Sequence, residues 1–451
     1  MQMASNSLTF INHASVLIKG NLKALLTDPW YEGDSFHKGW KLIHENEDSE
    51  IRQLLDQTSH IWISHEHPDH FAIGFYKRYK KQIIDRHITI IFQETKDKRV
   101  LGFLQKEGFT TYEVSNNEPF ELEANFSIRV IKDEFYDSAL LCKVGGVTIF
   151  NPNDCPIHST ERIQSFRRRH GTCDVLLTQF SYAAWKGGRN NREWRATAAR
   201  EKLRTFCDQA TIFEAKLAIP FASYVWFSNE LNFYLNDSAN TPKAVIDHCE
   251  ANRSPFTCLV MQPFESIDLN QRYPSQDPAS LEFWEGRYAG LNDRDRETYT
   301  QSTNLDSLRP LFNGYCERLK KRNSWSLVRL IGKLQFLGAF TPIPIQLLDT
   351  GEVVLIDIPN ASIVESELNP EIALHSESLA FIFRNAFGFD TLTVNGTFEE
   401  LQRGGFAHLT KNFAIENMNN LGYSLSPTLF FNFKLISIFA ARLSRVAKRL
   451  K

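Results

Sequence analysis

Apolar residues in the first part of the chain alternate between short continuous runs and runs with helical spacing. The segment LTFINHASVLIKG, followed by NLKALLTDPW, has the alternation and the turn residues of a β-hairpin. The runs HIWISH and ITIIFQ have little period, which is typical of strands buried on both faces, and HFAIGFYKRYKKQII between them has helical period. This series predicts a sheet covered by helices, as in an α/β fold.

A second sheet is predicted from residue 119 onwards. Three strand patterns follow one another up to residue 150, with a tight turn at Gly145-Gly146, and a strand–helix–strand series comes next. Two covered sheets in series predict a four-layer αββα sandwich over residues 1–262. Residues 263–308 are rich in Pro, Asp, Arg and Ser and are expected to form a connection or cover. Residues 309–451 are expected to form an α+β subdomain with SLAFIFRNAFG as a helix and EVVLIDIP and DTLTVNGTF as strands.

Composition and charge narrow the class of protein. Lys and Arg total 51 against 53 Asp and Glu in 451 residues, so no overall positive field points to nucleic acid, and none is expected as a partner. Seven cysteines without a CxxC pair, and the lack of a signal-peptide pattern, predict a cytoplasmic protein. The tail FKLISIFAARLSRVAKRLK is expected to be a docked or solvated helix, or to make a weak contact with an anionic membrane or a protein.

The stretch His65-Glu66-His67-Pro68-Asp69-His70 follows a buried strand and carries the strongest chemical signal. Side chains at i and i+2 in an extended segment point the same way, so His65 and His67 are expected to share one metal ion. Asp69 and His70 turn to the next surface and are expected to reach a second ion. Imidazole and carboxylate groups suit zinc, iron or manganese.

The HxHxDH pattern after a buried strand resembles the metallo-β-lactamase superfamily. That resemblance implies the four-layer sandwich, two divalent metal ions and a bridging aspartate, for which VTIFNPNDCP supplies Asp154. The segments DPW, SHEHPDH, NDC and IPFASY resemble, in order and spacing, the branch of CMP-N-acetylneuraminate hydroxylases, and the opening hairpin also resembles ascorbate-lactonase-like hydrolases. A Rieske iron–sulfur module needs a Cys-x-His motif together with a Cys-x-x-His motif, and this sequence does not contain that pair because it has no Cys-x-His.

The sequence departs from the superfamily pattern at two ligands. Where the resemblance implies a third histidine for the first ion, the sequence offers Asp133 or Glu134, and we choose Glu134. Where it implies the last histidine of the second site, the sequence has Asn229, so Asn229 or Glu230 is expected to substitute weakly. Hard oxygen ligands favour iron or manganese over zinc.

Several further residues are candidates for the walls of the site. Lys186, Arg189 and Arg192, with two glycines between them, form either a grip for a phosphate or carboxylate or a solvated loop. His13 lines the floor of the site or is a core histidine. Trp30, Tyr31 and Trp40 form a hydrophobic wall or belong to the core.

Three functions follow as hypotheses. The first is a metal-dependent hydrolase of a small molecule, for which an anionic substrate is one option, in which a metal-activated water attacks an ester, lactone, amide or phosphodiester. His65, His67 and Glu134 would hold one zinc or iron ion and Asp69 and His70 the other, with Asp154 bridging and Asp69 and Asp154 taking part in catalysis. The second is a diiron oxygenase acting on a sugar nucleotide or natural-product intermediate, which needs an electron donor. The third is a non-catalytic binding protein on the same fold.

Overall fold

The computed structural model describes residues 6–133 and 136–427. The chain divides into two compact units, Met1–Glu297 and Thr298–Lys451. This division lies inside the segment 263–308 that was expected to be a connection. Part of that segment is an ordered helix, Pro278–Ala289, whose Trp284 is fully buried among core residues of the first unit. The predicted basic helix at the C-terminus and the predicted ligand Glu134 lie outside the described residues.

The described part of the first unit contains strands with helices between them. Its strands are β1 (Ser7–Asn12), β2 (Ser15–Lys19), β3 (Ala24–Thr27), β4 (Asp34–Ser35), β5 (Trp40–Leu42), β6 (His60–Ile63), β7 (Thr89–Gln93), β8 (Thr110–Val114), β9 (Pro119–Glu123), β10 (Phe126–Lys132), β11 (Ser138–Val144), β12 (Val147–Asn151), β13 (Val175–Gln179), β14 (Leu217–Phe221), β15 (Val225–Phe227), β16 (Thr257–Cys258) and β17 (Ser266–Asp268). Its α-helices are α1 (Asp48–Gln57), α2 (Ile73–Arg78), α3 (Lys80–Asp85), α4 (Arg99–Lys106), α5 (Thr160–His170), α6 (Arg192–Ile212), α7 (Pro242–Ala251) and α8 (Pro278–Ala289).

Two seven-stranded sheets form the centre of the described part of this unit. Their strand orders are β17-β1-β2-β3-β6-β7-β8 and β16-β14-β13-β12-β11-β10-β9, and a small sheet β15-β5-β4 accompanies them. One core cluster joins the facing sides of both sheets, with Phe10 and Trp62 from the first and Ile128 from the second. The neighbours Ile61 and Ile63 point to the other side, where they pack with residues of α1 to α4. The predicted four-layer α/β sandwich is confirmed.

Strand order brings distant chain segments to one edge of the sandwich. β3 pairs in parallel with β6, and β12 pairs in parallel with β13, so their carboxyl ends lie at the same edges of their sheets. His13, Asp28 and Asn153, which follow β1, β3 and β12, all have positive φ angles of 31°, 34° and 49°. Non-glycine residues adopt this backbone region at an energetic cost that tends to be tolerated at functional sites. The edge where these three strands end is therefore the expected position of a functional site.

The second unit is an α+β unit with one five-stranded sheet, order β20-β19-β18-β21-β22, in its described part. Its elements are α9 (Leu305–Arg322), α10 (Trp325–Lys333), β18 (Ile343–Leu347), β19 (Val353–Asp357), β20 (Ser362–Glu365), β21 (Ile372–Leu374), α11 (Ser376–Arg384), α12 (Gly388–Asn395), β22 (Phe398–Glu400) and α13 (Gly405–Asn420). The strand predicted for DTLTVNGTF is wrong, because most of that segment is helix α12, ended by Gly396 in a left-handed conformation. Burial of Phe389 and Leu392 on one side of this helix outweighs the β propensity of its threonines and valine.

No helix in the described ranges is long and apolar enough to cross a membrane.

Candidate metal centre

The loop after β6 brings three histidines to one point. The N–H groups of His70 and Phe71 both donate to the carbonyl of His67, which closes a tight turn. His65 Nε2 lies 2.8 Å from His67 Nδ1, and the ring centres of His65 and His70 are 4.3 Å apart. His65 and His70 are fully buried. Histidines in a solvated polar loop would separate and face water, whereas these three converge and could hold a metal ion.

Two groups of side chains in the described part of the chain have the spacing of metal ligands. The first is His65, His67 and Asp154, and the second is His13, Asp69 and His70; the ligand atoms within each group lie within 4.8 Å of one another. Asp154 stands between the groups, with Oδ2 3.8 Å from His65 Nε2 and Oδ1 3.6 Å from His70 Nε2. One carboxylate facing a histidine of each group is the arrangement in which it can bind two ions at once.

The second group contains buried polar atoms that lack partners. Among the described residues, His70 Nε2 and Asp69 Oδ1 have no hydrogen-bond partner although both are buried. His13 Nε2 and His70 Nε2 each lie 3.4 Å from Asp69 Oδ2, which is longer than a normal hydrogen bond. An unpaired buried polar atom costs about 1–3 kcal/mol. Nitrogen and oxygen atoms that converge without pairing fit a bound cation.

Asp28 holds the histidine loop from behind. Its Oδ2 lies 3.0 Å from His70 Nδ1 and accepts hydrogen bonds from Ser64 Oγ and from Asn153 Nδ2, while its Oδ1 accepts from the Ser64 N–H at 2.7 Å. A carboxylate on one ring nitrogen fixes the tautomer and orientation, so that the other nitrogen faces the metal. Ser64 Oγ also lies 2.9 Å from His65 Nδ1. Asp28 and Ser64 therefore orient His70 and His65, and sequence analysis identified neither.

The electrostatics of the cluster depend on burial and on mutual contact. Burial lowers the pKa of His65 well below its ordinary value, and the neighbouring His70 and His67 lower it further, so His65 stays neutral as a metal ligand must. Burial opposes protonation of His70, but the carboxylates of Asp69 and Asp154 outweigh it and raise the pKa of His70 well above its ordinary value. With Asp28, three carboxylates surround the imidazole of His70, so the site stabilises positive charge.

Asp137 is an alternative to the ligand that was expected at residue 133 or 134. Asp133 forms an ion pair with Arg162, which uses its carboxylate in another contact. Asp137 Oδ1 instead lies 3.8 Å from His65 Nε2. Burial and the nearby Asp154 raise the pKa of Asp137 to about 7.

The register of the β11–β12 hairpin could have predicted that Asp137 lies near Asp154. β11 and β12 form an antiparallel hairpin in which Leu140 pairs with Asn151, and continuing that register by three residues places Asp137 opposite Asp154. The Gly145-Gly146 turn was visible in the sequence and determines this pairing.

His13, rather than Asn229, completes the second group. The Asn229 side chain donates to the Lys38 carbonyl and accepts from the Leu231 N–H, so its hydrogen bonds hold a loop. Glu230 is exposed and belongs to neither group of ligands. His13 is buried, and its ring lies edge-on to Trp30 with centres 5.6 Å apart. The sequence predicted that His13 either lines the floor of the site or belongs to the core. In the structure His13 is buried and its Nε2 also faces Asp69.

Lys186 of the predicted basic loop interacts electrostatically with Lys202, a lysine that sequence analysis missed. Lys202, on α6, donates from Nζ to Gln179 Oε1 at 2.5 Å, and Gln179 Nε2 donates to Asp154 Oδ1 at 2.6 Å. Burial lowers the pKa of Lys202 to about 8; Asp154 opposes this shift and Lys186 adds to it, so the two ammonium groups interact. Arg189 is exposed, and its guanidinium lies 4.9 Å from the ring centre of Tyr234.

The three predicted aromatic residues differ in position. Trp30 contacts His13, and Trp40 packs on Phe36, whose ring lies 5.8 Å from that of His67. Tyr31 belongs to the core on the helix side of the first sheet, and its hydroxyl pairs with Ser15. Trp30 and Trp40 thus fit the predicted wall, and Tyr31 does not.

Comparison with known families agrees with this geometry. The family model described as "Beta-lactamase superfamily domain" matches residues 7–178, which include every member of the two ligand groups. Residues 7–178 are thus similar to a beta-lactamase superfamily domain. The resemblance inferred from HxHxDH and Asp154 is thereby confirmed.

Curated relatives with sequence similarity are cytidine monophosphate-N-acetylneuraminic acid hydroxylases. The protein from Danio rerio is 26% identical over 255 residues, covering 53% of this chain and 41% of the relative. The protein from Macaca mulatta is 24% identical over 318 residues, covering 66% of this chain and 52% of the relative. This chain therefore spans about half the length of the curated relatives that it matches.

Solved structures with similarity include two of different chemistry. One is CmlA, a diiron β-hydroxylase from Streptomyces venezuelae, with 12% identity and a TM-score of 0.40 over 59% of this chain and 54% of that one. The other is a possible metal-dependent hydrolase from Veillonella parvula DSM 2008, with 16% identity and a TM-score of 0.42 over 59% of this chain and all of that one. Likeness at this level concerns the fold alone.

Proposed function

We propose that this protein is a metal-dependent hydrolase with a dinuclear centre in the beta-lactamase superfamily domain. The observation that carries the proposal is the position of Asp154 between two ligand groups. His65, His67 and Asp154 would hold one ion, joined by Asp137, and His13, Asp69, His70 and Asp154 would hold the other. Imidazole and carboxylate donors are those that zinc, iron and manganese accept.

The residues around the centre have separate tasks in this proposal. Two bound divalent ions would supply Lewis-acid stabilisation and lower the pKa of a water molecule. Asp69 would ligate the second ion, because its Oδ1 is buried and lacks a hydrogen-bond partner among the described residues. Asp28 keeps His70 in the tautomer that ligates. Trp30 and Trp40 limit the access of water from their side.

The charges beside Asp154 favour an anionic substrate. Asp154 is 27% exposed, so the centre opens towards solvent on its side. Lys202 reaches Gln179, which itself contacts Asp154, and Lys186 lies close enough to lower the pKa of Lys202. Two ammonium groups at the open side of the centre would stabilise a phosphate or carboxylate of the substrate.

Metal stoichiometry tests the centre directly. Elemental analysis of the purified chain should find two divalent ions, and Asp154→Ala should lose both because it removes the shared ligand. His67→Ala should lose one, and the matched control His248→Ala, in neither ligand group, should lose none. Hydrolysis is then measured on aryl esters, lactones and phosphodiesters. Full metal content in Asp154→Ala would refute the ligand assignment.

A diiron oxygenase is the second candidate, favoured by the carboxylate at Asp137 where the superfamily pattern has histidine and by the names of the curated relatives. Such an enzyme would need electrons from another protein or from the substrate. An optical and Mössbauer spectrum of the purified protein separates the two proposals. Two irons with an oxo-bridge absorption band and consumption of O₂ would replace the hydrolase, whereas two zinc ions would exclude the oxygenase.

A further inference from the structure

Helix α10 and the turn that follows it present an unusual surface on the second unit. Val328 is the one fully buried residue of α10. Leu330 is 55% exposed and Phe336, in the 3₁₀ turn Gln335–Leu337, is 82% exposed, while Leu334 and Leu337 are each more than one-third exposed. Large apolar side chains that cluster on a surface at this exposure mark an interaction site.

The exposed apolar side chains lie at the end of α10 and in the turn that follows it. Leu330, Leu334 and Leu337 recur at intervals of four and three residues. Arg329 and Lys333 are exposed beside these leucines. We name Arg329, Leu330, Lys333, Leu334, Phe336 and Leu337 together the α10 face. Apolar anchors interleaved with long cationic side chains are typical of helices that lie in a membrane interface.

Charge in the surrounding sequence has one sign. Residues 318–348 contain six Lys and Arg residues and no Asp or Glu. Arg318 pairs with Glu416 and Lys320 with Glu317, but in the part of the chain that the structure describes Lys321 and Lys333 form no ion pair. Lys411 Nζ adds a further ammonium group at the Leu337 carbonyl. The α10 face is therefore complementary to a negatively charged surface.

We propose that the α10 face binds the surface of an anionic lipid bilayer. The apolar side chains enter the boundary between headgroups and acyl chains, and Arg329 and Lys333 extend to the lipid phosphates. A protein groove would need acidic groups placed to match, whereas a bilayer offers apolar depth and diffuse negative charge together. This surface belongs to the second unit, so the proposal is independent of the reaction at the metal centre.

Vesicle co-sedimentation of the full chain tests the proposal. The chain should bind phosphatidylcholine vesicles that contain phosphatidylserine and bind vesicles of phosphatidylcholine alone much more weakly. Phe336→Ser should weaken binding about tenfold, since it removes a large inserted side chain. Lys333→Gln should weaken it about fivefold, as expected for one charge at an anionic surface. Circular dichroism of each variant confirms that it is folded.

Control variants distinguish lipid binding by the α10 face from membrane binding by another segment and from dimer formation. Leu368→Ser, at another residue of this unit that is 56% exposed, should leave binding unchanged. Binding that survives Phe336→Ser but disappears when residues 428–451 are removed would overturn the proposal and place the membrane contact in that basic segment. A dimer in analytical ultracentrifugation that Phe336→Ser dissociates, without vesicle binding, would show that a second copy covers the face.

Discussion

Asp28→Asn tests whether the metal centre depends on its buried support. The carboxylate of Asp28 is 1% exposed and contacts three donors through Oδ2 and one through Oδ1. An asparagine keeps the shape but places an NH₂ group where an oxygen now accepts. If that group replaces Oδ2, it faces the amide of Asn153 and the Nδ1–H of His70, both of which donate. His70 must then change tautomer or rotate, and its Nε2 no longer faces Asp154.

The size of the effect follows from these contacts. Two buried donors lose their acceptor at about 1–3 kcal/mol each, so the free energy of unfolding should fall by roughly 2–6 kcal/mol. Loss of a carboxylate that orients a ligating histidine typically costs 10–100-fold in metal affinity. We expect an affinity loss of that size for the ion held by His70, measured by competition with a chromophoric chelator.

The matched control is Asp174→Asn. Asp174 also accepts a backbone N–H, from Thr148 at 2.8 Å, and pairs with Lys216, but it lies in neither ligand group. It should lower stability in urea unfolding without any change in metal affinity. Metal affinity in Asp28→Asn equal to that of the unaltered protein would refute the argument that Asp28 orients His70.

Three further predictions concern other residues. His13→Ala should reduce metal content towards one ion per chain, whereas Glu230→Gln should not; equal content in His13→Ala would exclude His13 as a ligand. Lys202→Met should weaken inhibition by orthophosphate roughly tenfold, as expected for loss of a charged contact, and unchanged inhibition would contradict an anion site there. Burial, with Arg287 and Arg294, lowers the pKa of His44 from 6.5 to about 4, so the unfolded chain binds the proton more tightly and stability falls as pH drops from 6.5 towards 4. Urea unfolding of His44→Gln should show a smaller fall over that range; an equal fall would assign the pH dependence elsewhere.

Local pattern predicted the sandwich because each strand carries its own signal. Ile61 and Ile63 face the helices while Trp62 between them faces the other sheet, so three consecutive positions of β6 are apolar and form a continuous run. The same reasoning failed at DTLTVNGTF. There, Phe389 and Leu392 decide the conformation through packing that a local pattern does not contain. The run HFAIGFYKRYKKQII became two short helices that meet at Tyr79, whose hydroxyl donates to Asp48 on another helix.

The candidate ligands divide in the same way between local and long-range information. Those in HxHxDH lie on one loop and share one turn, so their spacing in sequence is close to their spacing in space. Asp154 was found through resemblance to a family pattern. Asp28, His13 and Asp137 follow or precede different strands, and their arrival at the centre depends on strand order and register.

Backbone conformation explains why the sequence did not predict the side-chain directions of two of these long-range residues. His13 and Asp28 take positive φ angles, so each points its side chain in a direction that an extended strand would not give. Strand alternation therefore assigns them to the wrong face or to a turn. The cost of this conformation is offset if both side chains act on the centre, His13 towards Asp69 and Asp28 towards His70. A glycine at either position would relax the backbone, but it would also remove the side chain that acts on the centre.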